Sequence, residues 1–166
     1  MFALKPLSKE SVPAALAKAE RYRLLNEPEE AESICRDALA ADESNREASV
    51  QLVLALSDQI ATGSQAFPEG LAAARNLESP YDRAYYEGLL WERRAKHRVT
   101  EGGVGARHTA YEWIRKAMGL FEEAERQRPA GNDDAVLRWN ACVRFLERHP
   151  ELAPAPEEPV EAVLSE

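Results

Sequence analysis

The chain has 166 residues, a length for one domain, with 45% hydrophobic and 30% charged residues, the balance of a globular protein that buries its own core. A net charge of -8 and a pI near 5.1 argue against general nucleic-acid binding, because an acidic surface repels phosphate backbones unless a basic patch is segregated on one face. No stretch approaches the roughly 18 uncharged apolar residues of a membrane span, and the first residues lack a signal-peptide core, so a cytoplasmic protein without membrane contact is expected.

Residues 1–11 read as an N-terminal extension. Ser11 is expected to cap a helix from Val12 to about Leu25, with Pro13 tolerated in its first turn. Asn26 suits the left-handed position that closes a helix, and Pro28 opens a second helix ending near Ala41. Asp42, Ser44 and Asn45 supply a turn and a cap. A third helix, about Arg46 to Ala61, is apolar all round, which predicts burial on two sides. Thr62-Gly63-Ser64 breaks it. A shorter helix is expected after Pro68, from Glu69 to Leu77, then another from Tyr81 to His97. A glycine-rich loop follows from Thr100 to Gly105, within a long connection over residues 98–106. The last two helices are predicted from Arg107 to Gln127 and from Asp133 to Arg148, and residues 149–166 form an acidic, proline-rich tail expected to be extended. Cys35 and Cys142 sit among apolar residues in helical patterns and form no CxxC, so both read as small buried hydrophobes.

Small and large residues recur at fixed spacings in these hairpins. Ala19, Tyr22, Ala31, Cys35 and Ala38 follow one order, and Ala117, Phe121, Ala124 and Pro129 repeat its second half. Gly88 and Trp91 match its first half. This pattern resembles the tetratricopeptide repeat (TPR), a helical hairpin of about 34 residues in which small residues let two helices approach closely. The resemblance covers residues 12–148, with a weaker middle repeat around Val53 and Leu56. It implies an all-α fold of antiparallel helical hairpins, stacked as a short right-handed solenoid of about three repeats plus a C-terminal capping helix.

The resemblance also implies where a partner lies, because the first helix of each repeat lines a concave groove. By register these positions are Leu16, Glu20, Arg23 and Leu24; then Glu47, Val50, Gln51, Leu54 and Asp58; then Tyr85, Tyr86, Leu89 and Arg93. Tyrosines and aliphatics with a charged rim suit peptide recognition. Val50, Leu54 and Leu89 equally suit packing between neighbouring repeats. Chaperone-binding members of the family hold a C-terminal carboxylate with Lys, Asn and Arg at five groove positions. Here those positions carry Leu16, Glu20, Gln51, Asp82 and Tyr86, which argues against a chaperone-tail ligand.

Catalytic and metal signatures are not found: the chain holds no HExxH, G-x-S-x-G, P-loop or GxGxxG, and His97, His108 and His149 stand apart from other ligand types. No cofactor is implied, and a protein-protein interaction module is expected rather than an enzyme. One alternative is a small-anion or phosphoryl site over residues 102–108, with Gly103, Gly105, Arg107 and His108 at a helix N-terminus whose free N–H groups favour anions. It sits in a segment, 93–116, that carries +5 in a chain of -8. A second alternative is a structural subunit that self-associates into a homo-oligomer. The tail, with five glutamates and no cation from residue 150 onward, could dock against that basic segment.

Overall fold

The computed structural model describes residues 2–154, and among these it is all-helical: α1 (Val12–Leu24), α2 (Pro28–Ala41), α3 (Arg46–Asp58), α4 (Ala66–Arg75), α5 (Pro80–Glu101), α6 (Ala106–Arg126) and α7 (Asp134–Arg148). A short 3-10 turn, Lys9–Ser11, precedes α1. Of the tail expected to be extended over residues 149–166, residues 149–154 are described, with Leu152 buried in the core of α5, α6 and α7; residues 155–166 lie outside the described residues, and the docking expectation for the tail's apolar end lies there.

Local chemistry accounts for most boundaries. Asn26 has φ 62, and the Glu27 N–H reaches the Tyr22 carbonyl at 2.9 Å while Asn26 N–H reaches Arg23, the paired bonds that close a helix on a left-handed residue. The Asn45 side chain accepts the Ala48 N–H at 2.9 Å, capping α3, and Ser79 does the same for α5 from Asp82. Ser11 departs from expectation: its hydroxyl pairs with that of Ser8 at 2.8 Å, because the preceding 3-10 turn already occupies the capping position.

Three boundaries are corrected. The third helix stops at Asp58, three residues before Ala61, where the Thr62 and Gly63 N–H groups turn back onto the Gln59 carbonyl. The fourth begins at Ala66, ahead of Pro68, whose missing N–H costs nothing in a first turn. The connection expected over residues 98–106 is only Gly102–Gly105, since α5 continues to Glu101. Arg98 donates to the Gly102 carbonyl at 2.8 Å and Val99 packs on the core, so the helix gains contacts by continuing. The third hairpin is therefore enlarged in its helices, of 22 and 21 residues, and not in its loop.

Each helix packs on the next, and α3 also touches α1 and α5, while α5 also touches α7. One core joins α1, α2 and α3 through Leu16, Ala19, Ala31, Cys35, Ala38 and Leu52. A second joins α5, α6 and α7 through Ala95, Ile114, Ala117, Phe121, Cys142 and Phe145. A third, between them, holds Val50, Val53, Leu77 and Leu90. Both cysteines are buried, and desolvation pushes each thiol up to about 12, so neither is a nucleophile at neutral pH.

The closest approach of α5 to α6 depends on Gly88. A Cβ there would lie 2.8 Å from the Phe121 ring, which is fully buried and cannot yield freely. Gly88→Ala should therefore destabilise the fold by about 1–3 kcal/mol from overpacking, outweighing the roughly 1 kcal/mol that alanine adds as a helix former. Chemical denaturation measures this; a stabilised variant would place the two helices farther apart.

Candidate functional site

The predicted groove positions divide into two groups. Leu16 and Leu89 are each 1% exposed, and Val50 and Gln51 are buried as well. Leu16 and Gln51 were expected to line the groove, and Val50 and Leu89 either to line it or to pack between neighbouring helices. Leu16 packs in the core of α1, α2 and α3 and Val50 in the central core, because apolar area at a helix contact is worth more buried than displayed. The Gln51 Nε2 donates to Glu47 Oε1 at 3.1 Å, and its Oε1 has no protein partner. Leu54 and Tyr86 are half-buried against the central core. Burial, reinforced by the Asp82 charge, pushes the Tyr86 hydroxyl up to about 12. Tyr85 is stacked on Tyr81 at 5.7 Å, edge-on to Tyr86 and tilted over Phe121, so it is chiefly a packing residue.

The second group converges. Glu20, Arg23 and Leu24 of α1, Asp58 of α3, and Arg93 of α5 line one cavity of about 450 Å³, with Pro28, Ile60, Ala61, Lys96 and His97 completing its wall. The Arg23 Nε donates to Asp58 Oδ2 at 2.7 Å. Arg93 Nη1 donates to Asp58 Oδ1 and, at 2.8 Å, to the Ser57 hydroxyl. Asp58 thus bridges two guanidinium groups from the helices on either side of its own. Ser57 and Asp58 are placed there because α3 ends at this point, with Ile60 buried below them. Leu24, 82% exposed, forms the lip.

Two further carboxylates on α5 are buried, both 1% exposed. Asp82 receives a two-pronged contact from Arg46, at 2.7 and 2.8 Å, tying α5 to α3. Glu92 receives Lys96 from its own helix and Arg138, at 3.5 Å, from α7. Only the Glu92–Lys96 pair, four residues apart, is a local spacing; the cations that face Asp82 and reach Glu92 from α7 lie 36 and 46 residues away.

Gly103, Gly105, Arg107 and His108 do gather around another cavity, of about 490 Å³, at the start of α6. Gly103 and Gly105 have φ 89 and 71, a backbone that other residues rarely adopt. The chain's own Glu151 also lines this cavity, and the Ala153 carbonyl stands 2.9 Å from His108 Nδ1. The anion-favouring end of α6 therefore already faces a carboxylate and a carbonyl from the residues after α7.

No family model matches the chain, and no curated protein and no solved structure matches it. Among the described residues no cluster of three or more His, Cys, Asp or Glu side chains could hold a metal ion, and no helix is long and apolar enough to cross a membrane.

Proposed function

We propose that this chain is a short TPR-like solenoid, about three hairpins and a capping helix, that acts as an adaptor by holding a segment of a partner protein against α1, α3 and α5. The observation that carries this reading is the cavity of about 450 Å³, built from all three of those helices and open at the surface. Its volume lies in the range of pockets that enclose small groups of atoms with a few fixed polar contacts. The contacts of α3 with both α1 and α5 support the stacked arrangement, as do the fully buried small residues Ala19, Ala31, Ala38, Ala117 and Ala124. The small-anion alternative is less favoured, because Glu151 competes for that site.

Leu24 and Ala61 are exposed residues of the cavity wall, so changing them obstructs the site without opening the core. With the full chain as bait, a partner retained by the parent should be lost from a Leu24→Glu, Ala61→Arg double variant whose melting temperature is unchanged. Amide-exchange protection by that partner should concentrate on α1, α3 and α5. Retention of every partner by the double variant would overturn the reading.

A further inference from the structure

We infer that the cavity between α1, α3 and α5 selects a partner segment carrying an aspartate or glutamate beside an aliphatic residue, with Asp58 holding in place the two arginines that recognise it. The inference rests on the groove-binding reading and names the chemistry of its ligand. It starts from donors at the cavity that no protein atom among the described residues answers. A guanidinium has five N–H groups in a planar fork. Among the described residues Arg23 spends only its Nε, and Arg93 only its Nη1. The rest of both forks has no protein acceptor, although the side chains are only 19% and 30% exposed. Partly buried N–H groups without acceptors favour a ligand that brings oxygen atoms, and a carboxylate matches the fork in two prongs.

Asp58 gives this arrangement its second feature. One carboxylate is shared by two cations from different helices, so it pins both forks at the mouth of the cavity. It also lies against any incoming anion and repels it. Lys96 is answered by Glu92, and Glu20 stands exposed at the rim, so selection comes from the directed donors and not from an excess of positive charge. The same cavity is also lined by the apolar side chains of Leu24, Pro28, Ile60 and Ala61. The two surfaces together fit an aliphatic side chain next to an acidic one.

The sign of one substitution separates ligand reading from a merely structural ion pair. Asp58→Asn removes the competing charge while keeping one acceptor for the arginines, so an acidic peptide should bind the variant more tightly, by about threefold to tenfold. Arg93→Met and Arg23→Met should each weaken the same peptide by about tenfold, the cost of a charge-assisted bond. The probe is a displayed library of random dodecapeptides panned on the full chain. Selected sequences are then made synthetically, as parent, Glu→Gln and phosphoserine versions, and titrated by fluorescence anisotropy. Acidic-aliphatic peptides that lose affinity with Glu→Gln and gain it with Asp58→Asn support the inference. Groove-dependent peptides without acidic residues, or an acidic peptide indifferent to Asp58→Asn, overturn it and leave the adaptor reading standing. A site that takes only the phosphoserine version overturns the carboxylate assignment. If no selected peptide is sensitive to Leu24→Glu, Ala61→Arg, the adaptor reading falls with it.

Discussion

Phe121→Ala is expected to cost about 3–5 kcal/mol, the range for deleting a large aromatic from a core that cannot collapse around the hole. The ring is completely buried and belongs to the cluster that joins α5, α6 and α7. It lies against Gly88 on one side, with the Tyr85 ring 5.9 Å away. Helices α5 and α6 are the two longest among the described residues and pack along each other, and α5 carries Arg93. Loss of Phe121 should therefore also loosen the cavity. Denaturant titration with an unchanged m-value measures the effect. The Gly88→Ala cost should shrink in the Phe121→Ala background, because the clash has lost its partner, and the coupling between the two sites follows from a double-mutant cycle. Additive effects would mean that Gly88 is constrained by some contact other than the ring.

The parts of the fold visible in the sequence are those fixed by neighbours a few residues away. The left-handed Asn26 and the Asn45 cap are local chemistry, and both stand where their side chains predict. The columns Ala31, Cys35, Ala38 and Ala117, Phe121, Ala124 are all fully buried, since spacing of three and four residues keeps a side of a helix against its neighbour. The continuation of α5 through Thr100 was not visible in this way. Val and Thr before paired glycines argue for a stop, but the half-buried Val99 packs on the core of α5, α6 and α7, a contact that adds to the local pairs of Glu101 with His97 and Arg98. Tertiary contact there outweighs propensity. The predicted groove positions fall partly in the core and partly around a cavity. Register identifies the side of each helix that faces its neighbours, yet it does not separate a seam from an opening. Leu16 and Leu89 are buried, while Arg23, Asp58 and Arg93 line a cavity.

The second large effect concerns Glu92, a glutamate almost without solvent contact at the junction of α5 and α7. Lys96 and Arg138 both reach its carboxylate, and Lys96 also lies 5.5 Å over the Phe145 ring. Burying a charge is tolerable only while its partners are present. The Lys96→Met, Arg138→Met double variant keeps most of the apolar stems in place but strands the carboxylate. It should be destabilised by about 3–5 kcal/mol, the usual result of removing the partners of a buried ion. Adding Glu92→Met should then recover most of that loss, because replacing a whole buried ionic group by apolar side chains of similar volume is commonly neutral or better. The rescue distinguishes an electrostatic cost from simple loss of packing, which a third methionine would not repair. If the double variant matches the parent in denaturant midpoint, water reaches Glu92, and α7 is held on α5 by Cys142 and Phe145 without help from the ion group.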